Sequence, residues 1–120
     1  MQVRKNEISI NNLDFKKKDG LIPVIVQDIN SGVVLMLAYA NIDSVKKTQE
    51  TGFAHYWSRS RKTLWKKGES SGHYQKIVDV LVDCDKDTLI YKVHQKGVAC
   101  HTGAPNCFFN RLETKKIKFK

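Results

Sequence analysis

Three cysteines and a run of alternating aspartates are the side chains of this 120-residue chain best suited to chemistry. Asp83, Asp85 and Asp87 recur at every second position around Cys84. In an extended segment that spacing sets all three carboxylates on one face and Cys84 on the other. Carboxylates so close repel one another unless a cation neutralises them, and a hard, oxygen-loving ion such as Mg²⁺ suits the group. An EF-hand does not fit, because Thr88 stands where its loop needs glycine and His94 where it needs a bidentate glutamate. The competing reading is an acidic turn joining two strands.

The second cluster is Cys100-His101-Thr102-Gly103-Ala104-Pro105-Asn106-Cys107. Two thiols separated by a Gly-Ala-Pro turn can fold back onto one ion, although no pair has the Cys-x-x-Cys spacing of a structural zinc knuckle. If Cys84 joins them, three thiolates leave a fourth position open, as in a catalytic zinc site. Such a centre is net negative and acidifies bound water less than three neutral imidazoles do, so a nearby base is needed. His101 is the natural candidate; its alternative role is a structural histidine bonded to a carbonyl.

A third stretch, Tyr56 to His73, mixes hydroxyls, cations and aromatics. Arg59 and Arg61 offer forked donors to phosphate, Ser58 and Ser71 add neutral donors, and Trp57 or Trp65 can stack on a base. Lys67 belongs to the same candidate substrate site. Glu69 either pairs with one of these cations or meets a ribose hydroxyl or metal water. The competing reading is a basic hairpin with both tryptophans in the core.

These groups must be positioned by one modest core, since 120 residues with 41% hydrophobic and 28% charged content make a single domain. Residues 1–20 read as an irregular lead-in, with packing starting at Leu21, and 111–120 as a basic tail. Leu21–Gln27 and Val33–Tyr39 read as strands joined by the turn residues 28–32. Asn41 caps a helix from Ile42 to Thr51 that Gly52 ends. Beyond Phe53 the alternation in Ile77–Val82 and Leu89–Val93 reads as strand. The expected class is α+β, mostly β, with one main helix.

An odd number of widely spaced cysteines argues for reduced thiols and a cytoplasmic setting, and no apolar run has the length of a membrane span. A formal net charge of +9 attracts anions, which leaves phosphorylated metabolites, nucleic acid and acidic membranes open. Much of that charge is lysine on solvated-looking stretches, namely Lys16–Lys18, Lys46, Lys47 and the tail Lys115, Lys116, Lys118 and Lys120.

In order along the chain, Val34-Leu35-Met36-Leu37-Ala38-Tyr39, Thr51-Gly52, Ser58-Arg59-Ser60-Arg61, Leu64-Trp65 with Lys67-Gly68-Glu69 and Ser71-Gly72, Asp83-Cys84-Asp85 with Asp87, and Ala99-Cys100-His101-Thr102-Gly103 with Cys107-Phe108 resemble phosphoribosyl-AMP cyclohydrolase, a family of histidine biosynthesis. The resemblance implies zinc on Cys84, Cys100 and Cys107 and Mg²⁺ on Asp83, Asp85 and Asp87. It also implies an intertwined homodimer whose zinc site takes cysteines from both subunits, and hydrolysis of the C6–N1 bond of 1-(5-phosphoribosyl)-AMP with His101 moving the proton. Departures are small: Ala40 stands where the family usually has Met, and Asn106 where it often has Ser. Only 13 residues follow Cys107, so the pyrophosphohydrolase activity fused to some relatives is not expected.

Two rivals compete. A zinc nucleobase deaminase needs His-x-Glu and Pro-Cys-x-x-Cys, and neither occurs here. A small zinc-stabilised nucleic-acid-binding module accounts for the charge and the aromatic-basic stretch without any turnover.

Overall fold

The computed structural model describes residues 6–113. The basic tail expected over 111–120 lies mostly outside those residues. A four-stranded sheet carries the fold in the order β2-β1-β6-β5, and a separate two-stranded hairpin, β3-β4, lies beside β2. The strands are β1 (Ile22–Asp28), β2 (Val34–Ala40), β3 (His55–Ser58), β4 (Thr63–Lys66), β5 (Gln75–Val82) and β6 (Leu89–Gln95), with α1 (Ile42–Thr51) between β2 and β3. This is the α+β, mostly β class expected from the sequence.

Burial follows the pleat. Ile22, Val24 and Val26 of β1 and Leu89, Tyr91 and Val93 of β6 are buried on one face, where Tyr56, Val45 and Ala54 cover them. β1 pairs antiparallel with β2 and parallel with β6, and β5 pairs antiparallel with β6. Pro23 is tolerated in this interior strand because the pairing with β6 begins only at Val24, so its missing N–H costs no ladder bond there. The opposite face is also apolar: Ile25 pairs with Leu37 and Leu81 with Ile90, yet Leu37 is 47% and Leu81 39% exposed.

α1 forms where its caps dictate. The Asn41 side chain accepts from Ser44 N at 2.9 Å, and Gly52 ends the helix in the left-handed region at φ 77°. Its buried face, Ser44, Val45 and Thr48, packs toward β3, and Thr48 Oγ1 accepts from His55 N at 2.9 Å. Below it, Tyr56 Oη donates to Gln75 Oε1, and Gln75 Nε2 donates to Gln95 Oε1 at 2.9 Å. This buried polar chain leads to the end of β6, the approach to Cys100.

The lead-in is more integrated than its composition implied. Ile10, Leu13 and Phe15 pack against the core around a 3-10 turn at Ile10–Asn12, so packing starts well before Leu21. The charged residues between these apolar ones mask the signal.

Candidate functional site

β5 ends at Val82, and residues 83–88 form the tight connection to β6. Asp83 N donates to Thr88 O at 3.1 Å, Lys86 N to Asp83 O at 3.1 Å, and Lys86 adopts φ 62°. The segment is therefore not extended, and the two-faced arrangement read from its alternation is corrected. The carboxylates of Asp83, Asp85 and Asp87 converge because the turn curls, and one oxygen from each lies within 4.8 Å of the others. Nor does Cys84 point away from them; its Sγ is 3.8 Å from Asp85 Oδ1. That spacing of oxygens suits a single hard cation of the Mg²⁺ or Ca²⁺ kind. Lys17 Nζ reaches the cluster, donating to Asp87 Oδ2 at 3.1 Å. This bond holds the Asp87 carboxyl below its ordinary value and the Lys17 ammonium above its own.

Cys100 and Cys107 sit at the other end of β6. Cys100 N donates to Ala104 O at 3.2 Å, Ala99 N to Pro105 O at 3.3 Å and Cys107 N to Leu35 O at 2.7 Å. The Gly-Ala-Pro turn thus folds the loop back on itself and brings the two thiols against each other. Thr102 Oγ1 donates to Cys100 Sγ at 3.0 Å, which with the Thr102 amide holds the Cys100 thiol below its ordinary value. Burial and the neighbouring Cys100 push the Cys107 thiol up. The two neighbouring thiols are thus shifted in opposite directions.

Cys84 does not join them within the chain. It follows β5 at one end of β6, whereas Cys100 follows the opposite end of β6 and Cys107 is bonded to β2, the far edge of the sheet. The seven residues of β6 alone span about 20 Å, while zinc–sulfur bonds are about 2.3 Å. Among the described residues, the aspartate trio is the only group of three His, Cys, Asp or Glu side chains close enough to share an ion.

A groove of about 680 Å³ runs between β2 and the β3-β4 hairpin, lined by Met36, Tyr39, Trp57, Ser58, Arg59, Arg61 and Trp65 among others. It collects four of the residues expected to bind substrate. The Arg59 guanidinium lies over the Tyr39 ring at 3.9 Å from its centroid. Ser58 Oγ accepts from Arg61 N at 3.2 Å, which bends the hairpin turn so that both arginines project from it. Trp57 and Trp65 are half-buried, and Trp65 packs against the core, its ring 5.1 Å from that of Tyr56, centroid to centroid.

The remaining candidates lie elsewhere. Lys67 turns toward the thiols, where Nζ donates to Ala99 O at 2.5 Å. Burial pulls its ammonium below the ordinary value while Cys107 and Cys100 pull it back. Glu69 and Ser71 are exposed in the turn after β4, with Ser71 Oγ accepting from His73 N at 3.2 Å. His101 is exposed beside Cys100. Sequence reasoning assigned no role to Tyr39, Thr102 or Lys17. Thr102 was within reach, two residues from a thiol; Tyr39 and Lys17 meet Arg59 and Asp87 only through the tertiary fold.

A groove of nucleotide size walled by arginine and tryptophan, in a small α+β domain that also carries a thiol pair and a carboxylate turn, fits an enzyme that handles a phosphorylated metabolite. The chain belongs to the phosphoribosyl-AMP cyclohydrolase family, a family of hydrolases in histidine biosynthesis, whose model matches residues 36–109. It is 59% identical to the phosphoribosyl-AMP cyclohydrolase of Archaeoglobus fulgidus over 106 residues, covering 88% of this chain and 97% of that one. Identity to the enzyme of the same name from Desulfotalea psychrophila is 63% over 107 residues, covering 88% and 84% of the two chains. A histidine biosynthesis bifunctional protein of Aquifex aeolicus is 60% identical over 102 residues, which cover 84% of this chain and 50% of that protein. Membership decides for the enzyme over the nucleic-acid-binding module. The ordered motifs had pointed to the same family.

Proposed function

We propose that this protein opens the purine ring of 1-(5-phosphoribosyl)-AMP by hydrolysing its C6–N1 bond, at a zinc site shared between two copies of the chain. One observation carries the shared site: Cys84 lies at the opposite end of β6 and across the sheet from the Cys100–Cys107 pair. Three thiolates can meet one ion only if Cys84 comes from a second copy. The apolar outer sheet face, with Leu37 and Leu81 open to solvent, supports a homodimer. Zinc held by these thiols supplies Lewis acidity toward water.

His101, exposed next to Cys100, takes the proton of the attacking water and returns it to the leaving N1. Ser58, Arg59 and Arg61 hold a phosphate arm in the groove, where Trp65 or Trp57 stacks on the base. Asp83, Asp85 and Asp87, which would reach the same site from the second copy together with its Cys84, would hold Mg²⁺, and that ion would offset the repulsion between these carboxylates and the other phosphate arm. On the exposed turn, Glu69 meets a ribose hydroxyl and Ser71 adds a neutral donor to phosphate. Free thiols and the absence of any membrane-crossing helix among the described residues fit work in the reducing cytoplasm.

The test is to mix purified protein with phosphoribosyl-AMP and follow the ring-opening absorbance change with and without chelator. Turnover should be lost with chelator and return with zinc. A Cys107→Ala variant should lose both bound zinc and turnover; full activity in a zinc-free Cys107→Ala protein overturns the metal reading.

A further inference from the structure

Lys67 was grouped with the substrate-binding cations, but its surroundings assign it differently. It follows β4 directly, and its backbone N–H is fixed by Ala54 O at 3.0 Å. The next residue, Gly68, turns at φ 83°, and a Cβ there would stand 2.5 Å from the His73 carbonyl carbon. The chain therefore leaves Lys67 in one direction, and the side chain reaches across to the cysteine loop. There Nζ donates to the carbonyl of Ala99, the residue preceding Cys100, at 2.5 Å. The two thiols are the charged or ionisable groups that act on it. Among the described residues no carboxylate forms a salt bridge with it, and it is half-buried.

Withdrawing an ammonium from water costs stability unless charge or hydrogen bonds replace the lost hydration. One carbonyl supplies part of that. The rest has to come from negative charge at the cysteine loop that Lys67 reaches. A divalent ion on three thiolates carries a net negative charge, which an adjacent ammonium offsets, and partners beyond the ligands orient and tune a metal centre. Lys67 also lies 6.0 Å from the Trp65 ring centroid, between the thiols and the substrate groove.

We propose that Lys67 is a positioning residue of the thiol centre and not a phosphate ligand. Through Ala99 it holds the loop that presents Cys100, and its charge balances the thiolates. This rests on the reading that the thiols hold zinc.

The experiment is competition for zinc between a chromogenic chelator and the substrate-free protein at fixed pH, with far-UV circular dichroism as a folding control. Lys67→Met should bind zinc about 10–100-fold more weakly with its spectrum unchanged, the usual size of such effects. Lys67→Arg, which keeps charge and donors, should stay close to wild type. If Lys67→Met fails to fold, Lys67→Gln against Lys67→Arg serves instead, with Gln expected about tenfold weaker. Zinc affinity unchanged in Lys67→Met, or equal in the Gln and Arg variants, overturns the proposal, and a raised KM alone returns Lys67 to the substrate. A wild-type protein that takes up no zinc overturns the parent reading as well, so the two failures are told apart.

Discussion

His101 and Arg59 divide the proposed chemistry between proton transfer and binding, and each is testable apart from the fold. His101 is exposed and makes no side-chain hydrogen bond among the described residues, so its replacement breaks none. His101→Gln should lower kcat by about 10²–10⁴, the usual contribution of general acid–base catalysis, with zinc content unchanged by atomic absorption. A small loss would place the proton carrier elsewhere. Arg59 is held by stacking on Tyr39, and among the described residues no carboxylate pairs with it. Tyr39→Ala should therefore raise KM several-fold with kcat nearly constant, consistent with a contact of about 0.5–1 kcal/mol at an exposed site.

At the scale of elements, the turns and caps carry more of the site than the strands do. Asn41 closes the first turn of α1, whose buried Thr48 supports β3 and so the groove. Asn41→Ala should cost about 1 kcal/mol in urea unfolding. The β1–β2 turn depends on Asp28, whose carboxylate accepts from Ser31 N at 2.8 Å, Ser31 Oγ at 2.9 Å and Asn30 N at 3.1 Å. The Ser31 amide and hydroxyl hold that carboxyl below its ordinary value of 3.8. Because the folded value is the depressed one, the stabilisation is complete above 3.8 and is lost as pH falls from there through the folded value. Asp28→Ala should lower Tm at neutral pH and lose less further stability on acidification than wild type. Parallel Tm–pH curves for the two proteins would show that Asp28 is not the titrating group.

For the whole molecule the decisive question is how two distant cysteine sites become one. Mixing inactive Cys84→Ser and Cys107→Ser proteins after dissociation should restore roughly a quarter of wild-type turnover, since half the dimers are mixed and each of these has one intact site. No recovery despite exchange would refute a shared centre. Much of this was legible in the chain. The boundaries of α1 follow from Asn41 and Gly52, the β1–β2 hairpin from residues 28–32, and the thiol pair from the turn between Cys100 and Cys107, because caps, turns and short loops are local and their chemistry is written in adjacent residues. The carboxylate cluster was also found, but for the wrong reason: alternation promised an extended face, whereas hydrogen bonds to Asp83 curl the segment into a turn. Only the tertiary structure decided that Lys67 faces the thiols, that Lys17 reaches Asp87 across 70 positions of sequence, and that Cys84 lies beyond reach of Cys100. Those facts depend on which strands lie side by side and which ends they share, and that order is set by the joint burial of residues far apart in the chain.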